Sequence, residues 1–275
     1  MGDAQRETVP GRWRPPGRLM LWTGLGYTAG ALLAWTILEA AEASAVFYAS
    51  AGVTSAALVL SRRSRWPWVL ALVAVIEFGI DVLHGWSPRF AWAFSVANTV
   101  EPVVGVLLLR RLVDRLDLTR RRHVAAFVAC CVVAGPMCGA LVGATTIRAG
   151  GVAGWVDAFF PFWAGDALGV LTIGSAVIAW RTRRDPSPAR ARWGVSRELI
   201  WTLCAAAATV ATTVVGFWPL VVPLLFLPLP LLFWIAVRRG VPALTICGAA
   251  MAVTANIMSA AGRGPWRSLT DCIGS

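Results

Sequence analysis

Carboxyl-bearing residues inside long apolar segments are the residues of this chain that could do chemistry. Glu77 and Asp81 are four positions apart and therefore share one face of a helix. Glu101 follows Asn98 by three residues, and Asp166 lies in a later segment. Ionisable groups inside apolar spans are rare and usually face a cavity or a partner group. A pocket formed by these groups would attract a cation or an amine, or would keep its carboxyl groups neutral.

The composition indicates which solvent surrounds these segments. Of 275 residues, 57% are hydrophobic and only 14% are charged, against about a quarter charged in a typical soluble domain. The polar residues are too few to cover a water-soluble globule, so lipid is the expected surroundings. The net charge is +11, but the basic residues lie in short gaps between apolar runs. That pattern is typical of membrane topology and argues against a nucleic-acid partner.

Nine apolar segments approach the roughly 20 residues that a helix needs to cross a bilayer. They are continuous and lack strand alternation, which favours helices over a β-barrel. Ala45–Leu60 is short and could be re-entrant, and the segment after Gly216–Pro219 should be kinked by prolines, including Pro219, Pro223, Pro228 and Pro230. The nine segments are Leu19–Leu38, Ala45–Leu60, Trp66–Val82, Ala91–Leu109, Val124–Ile147, Trp155–Trp180, Leu199–Val215, Phe217–Val237 and Val241–Ala261.

The arginines indicate an orientation for these segments. The chain has 25 arginines and no lysine. With nine spans and a cytoplasmic N-terminus, 21 of the 25 arginines fall on the cytoplasmic side. The outer side receives Arg89, Arg148, Arg263 and Arg267. This asymmetry is what the positive-inside rule predicts.

The alternating directions place three of the acidic residues at similar depth. Glu77, Glu101 and Asp166 fall near mid-membrane and Asp81 nearer the outer surface, so neighbouring helices would gather them in one pocket open outward. Alternatively, the carboxyl groups are interhelical hydrogen-bonding groups, and Glu101 or Asn98 serves backbone groups freed by Pro102. Aromatic residues could wall the pocket or form an interfacial belt; they are Trp92, Trp155, Phe159, Phe160 and Trp163.

Signatures of catalysis and of metal binding do not occur in the sequence. There is no HExxH, GxSxG, Walker or CxxC motif, and His84 and His123 fall at loop edges on opposite predicted sides. We interpret the six cysteines as small apolar residues rather than as disulfide partners or metal ligands. We therefore expect no enzymatic activity, no cofactor and no metal.

Four short blocks occur in order from about residue 20 to 267. They resemble four blocks of the bacterial membrane-associated sensor domain, type one, of the MASE family. The first block of that family is P-A-G-I with R-x-W-P, and the second is N-x-x-E with L-L-R-R. The third is W-x-G-D-x-x-G, and the fourth is G-x-G-P-F. The arginine of R-x-W-P is displaced by one position. The blocks are Ala51-Gly52-Val53 with Arg65-Trp66-Pro67, Asn98-Thr-Val-Glu101 with Leu108-Leu109-Arg110-Arg111, Trp163-Ala-Gly-Asp166-Ala-Leu-Gly169-Val170, and Gly262-Arg263-Gly264-Pro265-Trp266.

The resemblance implies an integral membrane sensor that passes its signal to a cytoplasmic output module, such as a histidine kinase, a cyclase, a phosphodiesterase or a phosphatase. Within such a domain, a signal would bind near Asp166 and Glu101 and shift the packing of helices. The ligand-binding residues we predict are Asp166, Glu101, Trp163, Asn98, Glu77 and Asp81. Gly169, Gly52 and Pro102 are predicted to have structural roles, Gly169 by permitting close approach of another helix.

The chain departs from the family pattern at three places. Ser50 and Ser175 stand where the family has proline, and the sequence ends at Ser275 without the further span and output module. We expect the chain to be a stand-alone sensor, a split partner or a truncated gene product.

The predicted fold is all-α: a polytopic transmembrane helical bundle of about nine spans, between eight and ten, in the bacterial inner membrane. Residues 1–18 form a cytoplasmic tail, 19–262 the sensor domain, and 263–275 a short C-terminal tail that is truncated relative to the family. The expected partners are the lipid bilayer and a separate kinase, phosphatase or cyclase, with a homodimer left open. The alternative function is a small cation- or proton-coupled membrane transporter.

Overall fold

The structure is a computed structural model that describes residues 16–41, 47–182, 195–217 and 228–261. These residues form helices and no strands, which confirms the all-α class. A short 3₁₀ turn, Arg63–Arg65, leads into the third helix. The helices are α1 (Gly17–Ala41), α2 (Ala49–Leu60), α3 (Trp66–Leu83), α4 (Pro88–Leu112), α5 (Arg121–Ala149), α6 (Trp155–Thr182), α7 (Val195–Gly216), α8 (Pro228–Arg239) and α9 (Val241–Ala260).

Five helical segments are long and apolar enough to cross a membrane. They are Arg63–Leu83, Pro88–Leu112, Arg121–Ala149, Trp155–Thr182 and Leu199–Gly216. Large apolar side chains point outward from the bundle, with Leu83 84% exposed and Trp22 71% exposed. Such a surface is suited to hydrocarbon rather than to water. The chain is therefore a membrane protein.

Helix α2 is the main departure from a regular set of spans. It has 12 residues, which gives a length of roughly 18 Å against a hydrocarbon core of about 30 Å. Phe47 and Tyr48 precede it without helical structure. The start of the predicted segment Ala45–Leu60 lies outside the described residues, as do Pro219 and Pro223 before α8. As described, α2 is a half-length helix.

Helix α2 lies inside the bundle and contacts α1, α3, α4 and α6. A Cβ atom on Gly52 would overlap the carbonyl oxygen of Gly169 and lie 2.7 Å from the Gly174 nitrogen. A Cβ atom on Gly169 would overlap the carbonyl oxygen of Tyr48. The Tyr48 N–H donates to the Gly165 carbonyl at 3.1 Å. The backbones of α2 and α6 are thus in direct contact, and only glycine fits at residues 52 and 169.

The two serines expected to stand in place of proline each make hydrogen bonds. The Ser50 hydroxyl donates to the Tyr27 carbonyl of α1 at 2.7 Å. Ser175 follows a π-helical turn in α6, Val170–Gly174, and its hydroxyl donates to the Leu171 carbonyl. Hydroxyl groups therefore bond backbone carbonyls at both positions. Pro102, in contrast, lies within α4, which continues through it as a single helix.

Arg110 of α4 holds the C-terminal end of α2. Its guanidinium group donates to the carbonyls of Leu58 at 3.0 Å and Ser61 at 2.5 Å. It also lies 4.8 Å from the centroid of the Trp66 ring, and the Trp66 indole N–H donates to Leu58 at 3.1 Å. The last carbonyls of a helix have no partner within that helix. One side chain from α4 and one from α3 supply these partners for α2.

The two ends of the bundle differ in charge. One core cluster contains side chains of α1, α2, α4 and α6 together with Leu118 of the α4–α5 loop. One end of each of these helices therefore lies near that loop. We call this the arginine end, and its arginines are Arg18, Arg62, Arg63, Arg65, Arg110, Arg111, Arg115, Arg120, Arg121, Arg122 and Arg181. The turns at the opposite end, after α3 and after α5, are flanked by Arg89 and Arg148.

The contact between α2 and α6 predicts the effect of added side-chain volume. Gly52→Ala should lower the free energy of unfolding by about 1–3 kcal/mol, because the new methyl group overlaps backbone atoms that cannot move aside independently. Gly79→Ala is the matched control, since its Cβ meets nothing within 4 Å. Unfolding of the purified variants in detergent measures the difference. Equal stability of the two variants would contradict the described packing.

The Arg110 contacts predict a difference between two neighbouring arginines. Arg110→Lys should destabilise the chain by about 1–2 kcal/mol, because lysine lacks the planar group that bonds several carbonyls and stacks on Trp66. Arg111→Lys is the control, because Arg111 is exposed. Thermal unfolding in the same detergent compares them. A loss of stability in Arg111→Lys as large as in Arg110→Lys would count against the capping role.

Candidate functional site

The carboxyl group of Glu77 is the centre of a buried hydrogen-bond network. The Tyr27 hydroxyl donates to its Oε2 atom at 2.9 Å, and the Tyr48 hydroxyl donates to the same atom at 2.6 Å. The Asn98 side-chain amide donates to Oε1. Glu77 is only 5% exposed, so these partners replace the water that a surface carboxyl group would bind.

The network joins the first four helices. Tyr27 is on α1, Tyr48 immediately precedes α2, Glu77 is on α3 and Asn98 is on α4. The two tyrosine hydroxyls are also 3.2 Å apart. Three donors, from α1, from the residue before α2 and from α4, therefore meet a single acceptor on α3. The non-helical residues before α2 are what allow the Tyr48 hydroxyl to reach α3.

A cavity of about 410 Å³ lies beside this network, toward the end opposite the arginine end. Its polar lining includes Glu77, Asp81, Asn98, Asp157 and Asp166, and no Arg or His side chain of the described residues lines it. The structure thus brings together four of the six residues predicted to bind a ligand, which are Glu77, Asp81, Asn98 and Asp166.

Three side chains in this lining have acceptor atoms without a partner among the described residues. These atoms are Oδ2 of Asp81, Oδ1 of Asn98 and Oδ2 of Asp166. The three residues are 4%, 7% and 3% exposed, respectively. Buried acceptors without partners are costly, and they are informative at a site because a ligand with donors would satisfy them.

Glu101 is placed differently from the prediction. It is 1% exposed and does not line the cavity. Its carboxyl group instead forms a pair with that of Asp166, in which Oε1 of Glu101, like Oδ2 of Asp166, has no hydrogen-bond donor among the described residues. Glu101 also packs against α5, where a Cβ on Gly139 would lie 3.1 Å from the Glu101 Cβ. The pairing places Asp166 between the cavity and Glu101. The expectation that Glu101 lines the shared pocket is therefore wrong, although it contacts a residue that does.

Trp163 also lies outside the cavity lining. Its indole N–H donates to the carbonyl of Val133 at 3.2 Å, within the π-helical turn Val128–Ala134 of α5. The other expected wall residues are not in the lining either: Trp92 is 63% exposed, Phe160 is 55% exposed, and Trp155 stacks on Phe159 at 4.8 Å. Of the two alternatives for these aromatic residues, the cavity wall is therefore wrong, because none of the five lines the cavity.

The aromatic side chains that do line the cavity are Trp35, Tyr48, Trp86, Phe94 and Phe162. Trp86 and Phe94 pack edge to face at 5.4 Å, and Phe94 lies 6.3 Å from Phe162. Sequence reasoning missed all five, and it also missed Tyr27. One signal was available: Tyr27 and Tyr48 are the only tyrosines in the chain, and a tyrosine within an apolar segment needs a partner for its hydroxyl group.

The chemistry of this lining suits a donor-bearing ligand better than a metal ion. Among the described residues, no group of three or more His, Cys, Asp and Glu side chains could hold a metal ion. The cavity combines acidic acceptors with aromatic rings, and both attract positively charged organic groups. The Asn98 amide N–H is engaged by Glu77, and the Asn98 carbonyl oxygen has no hydrogen-bond partner among the described residues.

Comparison with known proteins places the chain in a family. A family model described as MASE1 matches residues 19–270, nearly the whole chain. The chain belongs to the MASE1 family. MASE1 is a membrane-associated sensor domain, and the membrane-capable helices agree with that description. No curated protein and no solved structure matches the chain. The cavity and the Glu77 network lie within the matched region.

The Glu77 network predicts unequal roles for two buried or half-buried asparagines. Asn98→Ala should lower the free energy of unfolding by about 1–3 kcal/mol, because it leaves Oε1 of Glu77 without a donor. Asn256→Ala is the control, because its amide bonds only the Ala252 carbonyl of its own helix. Unfolding in detergent, followed by tryptophan fluorescence, measures both. Equal effects would show that the Asn98–Glu77 bond contributes little.

Proposed function

We propose that this MASE1 domain perceives a signal in or outside the membrane at the acidic cavity and passes it to a cytoplasmic signalling module. The observation that carries the proposal is the set of unpartnered, buried acceptors lining a cavity of about 410 Å³. A stable membrane bundle has no structural need for such acceptors. A binding site does, since its acceptors are satisfied when the ligand arrives.

Helix α2 supplies the link between the cavity and the arginine end. Tyr48, before its first residue, lines the cavity and donates to Glu77. Its last carbonyls are held by Arg110 at the arginine end. Ligand contacts that move Asp166 or Tyr48 would therefore displace α2 against α6 and change the Arg110 contacts. Such a change is a small two-state rearrangement whose direction depends on differential ligand affinity.

We further propose nine spans, a cytoplasmic N-terminus and a bacterial inner-membrane location. The arginine end supports this orientation, because the positive-inside rule assigns arginine-rich loops to the cytoplasm. The cavity then faces the outer side, where extracellular or lipid-borne signals are present. The output end of α2 faces the cytoplasm, where a kinase, phosphatase or cyclase could respond.

In this account the domain is not catalytic and acts through a separate output protein, alone or as a homodimer. A cation- or proton-coupled transporter is the competing function, and the buried carboxyl groups of the cavity favour it as the second candidate. The two functions differ in what Asp166 does. A transporter requires Asp166 for uptake into proteoliposomes, whereas a sensor requires it for control of an output.

A fusion experiment tests the sensory function. The chain is joined through one additional spanning helix to a diguanylate cyclase, and cyclic di-GMP is measured in cells. Asp166→Asn and Glu101→Gln should each change the output about fivefold or more, as expected for typical coupling free energies. Asp114→Asn, an exposed loop variant, should leave it unchanged.

Two results would contradict the proposal. If Asp166→Asn and Glu101→Gln leave both the cyclase output and the stability of the chain unchanged, the cavity does not control signalling. If purified chain in proteoliposomes carries out uptake that is lost in Asp166→Asn, the transporter becomes the better account.

A further inference from the structure

We propose that the cavity binds a primary ammonium ion with an apolar alkyl or aryl body, whose N–H groups donate to Asp81, Asn98 and Asp166. This inference deepens the proposed function and rests on it for its meaning in the cell. The juxtaposition of three orphaned acceptors with a ring of aromatic side chains points to this class of ligand.

The hydrogen-bonding capacity of the cavity matches a primary amine. Three acceptor atoms in its lining have no donor among the described residues: Oδ2 of Asp81, Oδ1 of Asn98 and Oδ2 of Asp166. A primary ammonium group carries three N–H donors and no acceptor. Its three donors equal in number the unpartnered acceptors, which come from three helices, α3, α4 and α6. An anionic ligand, by contrast, would meet only like charge and unpaired lone pairs.

A positively charged ligand would balance the acidic lining of the cavity. Four acidic residues line the cavity, and no Arg or His side chain within the described ranges lines it with them. Glu77 already accepts three hydrogen bonds from tyrosine and asparagine donors. Asp81 has no comparable donor for its Oδ2 atom, and the carboxyl group of Asp166 has only that of Glu101 beside it. A cation that enters the cavity is thus directed toward these two residues rather than toward Glu77.

The aromatic side chains determine what kind of cation fits. Trp35, Trp86, Phe94 and Phe162 line the same cavity as the carboxyl groups. Aromatic faces attract ammonium groups and also pack against apolar groups. A hydrated inorganic ion would gain little from such walls. The volume of about 410 Å³ lies within the range of small-molecule sites, roughly 300–1,000 Å³, and leaves room for an organic body.

Binding to the purified full chain in lipid nanodiscs tests the inference by calorimetry. Hexylamine and phenethylamine are the probes. Their neutral counterparts, hexanol and 2-phenylethanol, have the same bodies without the charge. Phenethyl-trimethylammonium has the charge without N–H donors. We expect the primary amines to bind, and the alcohols and the trimethylated ion to bind about tenfold more weakly or worse, because they lack charge-assisted donors.

Variants locate the binding site. Asp166→Asn and Asp81→Asn should each weaken phenethylamine binding about tenfold or more, while Asp114→Asn should not change it. Two cavity variants are used because either one could fail to fold, and size-exclusion chromatography identifies such a failure. The comparison of amines, alcohols and the trimethylated ion on the unmodified chain needs no variant at all.

Several outcomes would overturn the inference. These are no binding of either primary amine, equal binding of the alcohols, equal binding of the trimethylated ion, or undiminished binding to folded Asp166→Asn and Asp81→Asn. The calorimetric experiment involves no output module, so its failure leaves the proposed sensory function standing. Amine binding combined with an unresponsive cyclase fusion would contradict the sensory function and leave the binding site intact.

Discussion

A carboxyl group inside a membrane protein must obtain its hydrogen bonds from the protein, and Glu77 obtains three. The donors come from α1, from the residue preceding α2, and from α4, while Glu77 itself is on α3. Losing this acceptor would leave two tyrosine hydroxyls and an amide unpaired in an apolar interior, where unpaired donors are costly. The network therefore fixes the relative positions of four helices, and the acidic cavity exists because those helices are held in place.

Helix α2 is the element that depends most on this arrangement. Its 12 residues form one of the shortest helices of the described chain, and isolated helices of this length are only marginally stable in water. Its stability comes from its surroundings: Tyr48 bonds Glu77, Gly52 contacts Gly169, and Arg110 caps the last turn. Three of the four short sequence blocks that suggested the family thus contribute residues at or around this helix, and the fourth lies outside the described residues. A helix held at both ends by other helices is well placed to carry a displacement from the cavity to the arginine end.

The helices were predictable because a long apolar segment can adopt few backbone structures in lipid. The predicted segment Trp66–Val82, for example, matches α3 within one residue. The acidic residues of the site were predictable for a similar reason, since a carboxyl group at Asp166 or Glu77 needs a partner. Which face each aromatic residue presents was not predictable, because in lipid the outer and inner faces of a helix are both apolar. Trp92 and Trp35 look alike in sequence, but only Trp35 lines the cavity. The contacts that hold α2 were not predictable either, because the partners of Tyr48 and Gly52 are distant in sequence.

A double-mutant cycle between Tyr48→Phe and Glu77→Met tests the central claim most directly. Methionine nearly preserves the volume of glutamate but accepts no strong hydrogen bond, and phenylalanine removes only the hydroxyl group. The free energy of unfolding of the four chains in detergent gives the coupling energy. If the Tyr48–Glu77 bond holds α2 in place, the coupling should be about 1–3 kcal/mol. Additive effects within about 0.5 kcal/mol would mean that the two residues act independently, which would contradict the account.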